Sequence, residues 1–289
     1  MSRKFTILGE TGAGKTCYLA TMYGEFLMGT DEGYIIHASD NDTERQLRTY
    51  FDNISRGAER GRARFPYATP AADVRNMQFD LTWGIGTVLT TFKWIDYPGT
   101  FLNPAINDVN TPEYENLEKN INESSTLFIC VDGQYLADGT KNEKIRRVKQ
   151  NCCININPFL SKLVNQGRSL PPIVIIVTKY DLCQDVPDNL IREVIYQAFR
   201  PLFLTPQIFI AVIKCSLGLN ISDNNYTGEL QPLNVHLPIL MGIKFALADD
   251  IADEEYRIQH NLMNAPPHTR DFSRELGGAI LTNFLKVLK

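Results

Sequence analysis

Residues Gly9, Glu10, Thr11, Gly12, Ala13, Gly14, Lys15 and Thr16 read G-x-x-x-x-G-K-T, directly after the apolar run Phe5-Thr6-Ile7-Leu8. A buried strand entering a glycine-rich turn points successive backbone N–H groups at one place. The helix that opens next presents its positive end to the same place. Such a cradle holds phosphate oxygens. Lys15 has the reach to contact the outer phosphates, the Thr16 hydroxyl can ligate Mg²⁺, and Cys17 follows at the rim of the turn. An ordinary glycine turn would explain the glycines, but not the strand before them or the Lys-Thr pair that starts a helical stretch. The segment implies a nucleoside triphosphate site.

A second apolar run, Val174-Ile175-Ile176-Val177, ends in Thr178-Lys179-Tyr180-Asp181. A carboxylate at Asp181 can accept two hydrogen bonds from guanine N1–H and the exocyclic amine. Adenine offers neither donor in that arrangement. The stem of Lys179 can lie over the purine face. Lysine and aspartate at a strand end are more often solvated loop charges, but here they follow a β-branched run well downstream of the phosphate turn. Between the two motifs, Phe92-Lys93-Trp94-Ile95 leads into Asp96-Tyr97-Pro98-Gly99. Asp96 stands where an acidic group could hold Mg²⁺ through water, and the Gly99 N–H could bond a γ-phosphate. A fourth segment, Cys215-Ser216-Leu217, follows the strand 208–214 and could offer peptide N–H groups to guanine O6. Alone it says little.

Taken in order, the four motifs resemble the G-domain of Ras-like small GTPases. The resemblance covers most of residues 1–220, and the style of the first motif together with Val235-His236-Leu237-Pro238 also looks like bacterial double-GTPase proteins. It implies GTP/GDP and Mg²⁺ as ligands, with Thr16, Thr69 and Asp96 at the metal. It also implies catalytic roles for Lys15, Thr69, Gly99 and the position after Gly99. That position is Thr100, where a Ras-like protein usually has a water-orienting glutamine, and a short hydroxyl cannot do the work of that amide. Thr69 is assigned as the switch threonine by order and distance upstream of Asp96; a plain loop threonine is the competing reading. Arg56, Arg60, Arg62 and Arg64 could supply an arginine in cis or form a charged surface loop. Residues 100–110 read as a second switch.

The chain has 289 residues, 44% of them hydrophobic and 21% charged, enough for one α/β core. Its net charge of −4 and lack of a basic run argue against nucleic acid as the main partner. The first strand is expected to begin near Lys4, so no leader peptide is expected, and no stretch of 18 apolar residues appears that would be expected to span a membrane. Cys17, Cys130, Cys152, Cys153, Cys183 and Cys215 lack metal-ligand spacing and read as reduced thiols of a cytoplasmic protein.

Strands are expected near 4–8, 34–38, 76–83, 87–95, 125–131, 173–178 and 208–214, with helices near 15–28, 43–55, 112–122, 141–166, 188–203, 238–262 and 271–288. Alternating strands and helices imply a mostly parallel sheet with helices on both faces, and a hairpin at 84–86 implies one antiparallel edge. The expected division is a G-domain over 1–247, with a long switch I insertion about 30–75, and a C-terminal helical extension over 248–289. In the last helix Phe272, Leu276, Ile280, Leu281, Phe284, Leu285 and Leu288 make an apolar stripe expected to pack on the same domain. Three activities remain open on these residues. One is slow GTP hydrolysis, as a switch accelerated by a protein partner. The second is a nucleotide-gated scaffold that does not hydrolyse, and the third an ATP-using P-loop enzyme.

Overall fold

The computed structural model describes residues 3–30, 33–59, 65–66, 74–84, 86–103, 111–206, 208–218 and 230–259. Among them, seven strands form one sheet: β1 (Arg3–Leu8), β2 (Tyr34–Ala38), β3 (Arg75–Trp83), β4 (Thr87–Asp96), β5 (Thr126–Asp132), β6 (Ile173–Thr178) and β7 (Ile210–Lys214). Their spatial order is β2-β3-β4-β1-β5-β6-β7. Strands β4, β1, β5, β6 and β7 are parallel neighbours, whereas β3 runs antiparallel to both β2 and β4. The expected hairpin is therefore present, with its antiparallel strand one place in from the edge because β2 lies outside it.

The helices are α1 (Lys15–Met28), α2 (Asn41–Glu59), α3 (Pro112–Asn122), α4 (Gln134–Ala137), α5 (Lys141–Val148), α6 (Ile156–Asn165), α7 (Asp188–Ala198), α8 (Arg200–Phe203) and α9 (Leu237–Gln259). β5 and β6 are buried at every position, as strands covered on both faces must be. One core layer joins Leu127, Ile129, Val131 and Ile175 to residues of α3, α5, α6 and α7. The other joins Phe5, Ile7, Phe128 and Ile176 to α1 and α9. The long interval between the phosphate turn and Asp96 is filled by β2 and α2. Helix α2 sets Ile54 against Ala20 of α1, with Cys17, Tyr50 and Leu217 alongside.

Two expected helices are broken. The stretch 141–166 is α5, then a π-wound turn over Lys149–Cys153, then α6. Pro158 lies in the first turn of α6, where its missing N–H is harmless, but its ring would meet the carbonyl of Ile154 in a continuous helix. The stretch 188–203 ends at Ala198 and restarts at Arg200 because Pro201 cannot bond back to residue 197. The short α4 was not expected. Helix α9 continues past residue 247, whereas the expected helix 271–288 and its stripe from Phe272 to Leu288 lie outside the described residues. No described helix is long and apolar enough to cross a membrane.

Candidate functional site

The carboxyl end of β1 delivers the chain into the phosphate turn. Gly14 adopts φ +84°, a left-handed conformation open to glycine at little cost, and directly precedes α1. The turn is closed by the Ala13 N–H donating to the Glu10 carbonyl at 3.1 Å. Lys15 is only 7% exposed, and its ammonium donates to the carbonyls of Gly9 at 2.7 Å and Glu10 at 3.4 Å. It therefore lies folded along the rim of its own loop.

The end of β6 is tied to that loop. The Thr178 hydroxyl lies 2.7 Å from the Ala13 carbonyl and 3.2 Å from that of Val131. Lys179 takes a left-handed conformation (φ 50°), and its ammonium forms an ion pair at 2.5 Å with the buried Asp132 at the end of β5. The Ser216 hydroxyl donates to Asp181 Oδ1 at 2.8 Å, so the fourth motif touches the second. Asp181 Oδ2 is buried and has no hydrogen-bond partner among the described residues. Burial pushes the Asp181 carboxyl up from its ordinary value, while the hydrogen bond from Ser216 and the Lys179 charge pull it down. A carboxylate oxygen placed there without a donor is costly, and guanine carries the donors that would satisfy it.

These motifs share one cavity of about 340 Å³, lined by Thr11, Gly12, Gly14, Lys15, Thr16, Cys17, Gly99, Thr178, Lys179, Asp181, Cys215, Ser216 and Leu217, with Tyr18, Phe65, Pro66 and Val235 completing it. The last four were not expected on the wall. Phe65 and Pro66 carry no chemical signature, and Val235 arrives because a bridge between Ser216 and Leu233 folds the chain back onto the fourth motif. Gly99 is pressed against the phosphate turn: a Cβ built on it would sit 2.1 Å from the Thr11 nitrogen. Asp96 is 1% exposed at the end of β4, where it aligns with Ile7 of β1, and does not line the cavity. Neither does Thr100. Thr69 lies outside the described residues, as do Arg60, Arg62 and Arg64; Arg56 belongs to α2 and pairs with Asp52 at 3.6 Å. Burial raises the Cys17 thiol to about 11 and pushes Cys215 well above its ordinary value, so neither thiol adds charge to the wall. The described residues contain no cluster of His, Cys, Asp and Glu that could form a separate metal site.

Residues 5–224 match the family model described as Double-GTPase 2. The chain belongs to that family. Guanine-nucleotide binding by a G-domain follows from membership in Double-GTPase 2. No curated protein matches the chain. Among solved structures, it is similar to the bacterial selenocysteine-specific elongation factor EF-Sec (16% identity, TM-score 0.35), covering 77% of this chain and only 27% of that one. It is also similar to the Arl6 BBS3 small GTPase from Trypanosoma brucei with a bound nucleotide analogue (12% identity, TM-score 0.41, 85% of this chain and 98% of that one). A third is the S. cerevisiae Ski7 GTPase-like domain bound to GTP (16% identity, TM-score 0.41, 75% and 43%).

Proposed function

We propose that this Double-GTPase 2 protein binds GTP with Mg²⁺ and hydrolyses it slowly to GDP and phosphate, serving as a conformational switch within a multi-protein system. The observation that carries the reading is the convergence of Asp181, with a buried and unpartnered carboxylate oxygen, and the Lys15–Thr16 phosphate turn on one cavity. The two ends of a guanine nucleotide call for those two features at once. Thr16 would hold Mg²⁺ directly and Asp96, which lies behind the cavity wall, through water, with Thr69 as the third group; the ion would supply neutralisation of charge on the phosphate oxygens. Lys15, released from the carbonyls of Gly9 and Glu10, would transfer its donors to phosphate. The Gly99 N–H, fixed against the Thr11 backbone, would sense the terminal phosphate, and residues 100–110 would rearrange on its loss. A cytoplasmic site of action and a protein activator or effector belong to the same proposal; nucleic acid does not.

Titration of the wild type and Lys15→Ala with fluorescent GTP and GDP tests the first step. The variant should lose tight binding of both, because the loop loses its only long cationic side chain. Unchanged affinity would overturn the phosphate-site assignment. In wild type, equal competition by ATP would point instead to an ATP-using enzyme.

A specific observation keeps a second reading alive, that of a nucleotide-gated scaffold without hydrolysis. Thr100 holds the glutamine position and stays off the cavity wall. If hydrolysis is limited by an unoriented water, Thr100→Gln should raise single-turnover hydrolysis by about 10- to 100-fold, the scale set by positioning a reacting group. A partner supplying an arginine in trans should raise it by about 10³ to 10⁵. A wild type that turns over rapidly alone, and is slowed by Thr100→Gln, would show that Thr100 is itself competent.

A further inference from the structure

The π-wound turn Lys149–Cys153 ends beside the phosphate loop, although it comes about 140 residues later in the chain and belongs to none of the four motifs. Asn155, the residue preceding α6, donates from Nδ2 to Glu10 Oε1 at 2.9 Å. Asparagine immediately before a helix normally turns its side chain onto the helix's own first N–H groups. Asn155 makes no such cap and reaches across to Glu10 instead. Its helical backbone (φ −99°, ψ −33°), continuing from the π-wound turn, keeps the amide off the first N–H groups of α6 and leaves it for Glu10. The same turn packs against β5, the strand whose Asp132 pairs with Lys179.

Glu10 is an awkward residue to place second in a phosphate-binding loop. Its peptide is needed in a fixed orientation, while its carboxylate opposes the charge of any phosphate nearby. The structure holds that peptide from two sides. Its carbonyl oxygen accepts from Ala13 N–H and Lys15 Nζ, and its carbonyl carbon is close enough to Gly99 that a Cβ there would come within 2.4 Å. The side chain is then led away to Asn155.

We propose that Asn155 is a positioning residue of the phosphate site, acting through Glu10: its amide fixes the carboxylate on the α6 side and thereby the Glu10 peptide that shapes the loop. The proposal rests on reading the loop as the phosphate site, and its test separates the two. Binding of fluorescent GDP and GTP is measured for the wild type, Asn155→Ser, Asn155→Asp, Glu10→Gln and the Asn155→Asp/Glu10→Gln pair, with thermal unfolding of each protein. Asn155→Ser is too short to reach Glu10 and should weaken both nucleotides about tenfold, a loss larger than any change in melting temperature accounts for. Asn155→Asp, nearly isosteric but carboxylate against carboxylate, should weaken them further. Adding Glu10→Gln restores an amide-to-carboxylate bond with the roles exchanged, and should recover affinity toward that of Glu10→Gln alone. A wild type that binds, with Asn155→Asp binding within twofold of it, would overturn the positioning role and leave the phosphate site standing. So would affinity losses that merely follow the melting temperature, or a double variant no better than Asn155→Asp. A wild type that binds neither nucleotide would overturn both readings.

Discussion

Asp181→Ala should yield a folded protein that no longer distinguishes guanine from adenine, with about 10⁴-fold of selectivity lost by collapse of GTP and GDP affinity rather than by gain of ATP affinity. The physical reason is the asymmetry of buried hydrogen bonds. A guanine in the cavity would present two donors to a wall from which both acceptors had been removed. Competition of unlabelled GTP, ITP and ATP against fluorescent GDP measures the effect. ITP lacks the exocyclic amine and should show a smaller loss than GTP on substitution. A variant still preferring GTP to ATP by the wild-type margin would remove Asp181 from base recognition. The same carboxyl sets a pH dependence. Burial raises its value in the folded protein above the ordinary carboxylate value of 3.8. The folded state then holds the proton more tightly than the unfolded chain, so this group's contribution to stability declines as pH rises through that interval. In the proposed base-recognition role guanine would bind the ionised form, so GDP affinity should fall as pH is lowered through the raised value. Asp181→Asn should flatten that profile.

Gly99→Ala should damage the phosphate site through the backbone. The added methyl would meet the Thr11 nitrogen at 2.1 Å, the Glu10 carbonyl carbon at 2.4 Å and Thr11 Cα at 2.6 Å, all main-chain atoms that cannot swing aside. The loop must move by an ångström or more, and misplacement on that scale costs about 10²-fold in a preorganised site. Overpacking of this kind also destabilises by about 1–3 kcal/mol. Nucleotide titration and thermal unfolding should both show a loss, with phosphate contacts affected more than base choice. Wild-type affinity for GTP and GDP in this variant would mean that the contact between Gly99 and the loop is not maintained when nucleotide binds.

Much of this was legible from residue order. The apolar runs that became β5 and β6 are continuous because both faces of those strands are covered, and β1, β4 and β6 each end in a motif because open sheets place their sites at carboxyl ends. The phosphate turn, T-K-x-D and the Cys215-Ser216-Leu217 turn line one cavity together with Gly99, as their types suggested. What escaped has physical causes. The break in 141–166 depends on where Pro158 falls relative to a carbonyl four residues earlier, and helical periodicity runs on through it. Asp132 and Asn155 carry no motif; a strand-end aspartate and a pre-helix asparagine look like ordinary surface residues until Lys179 and Glu10 are seen against them. Val235 reaches the cavity through a two-residue bridge that no local pattern announces. Thr69 and the arginines after Arg56 fall outside the described residues, so their assigned roles rest on the order of the sequence alone.

The position of β1 has a consequence for how the molecule comes into being. It is early in the chain but central in the sheet, flanked by β4 through Arg3–Ile7 and by β5 through Phe5–Leu8. As the polypeptide leaves the ribosome, Phe5 and Ile7 must wait for Thr126 to Ile129 before both sides of their strand are paired. The cavity waits longer, until Asp181 and then Ser216 emerge. During that interval the nascent chain carries a phosphate turn with no base pocket and an open hydrophobic strand edge, a state prone to association with other chains. Nucleotide in the cell can stabilise only the completed sheet. GTP or GDP would thus act late in synthesis, drawing the finished fold forward and giving no help to its intermediates.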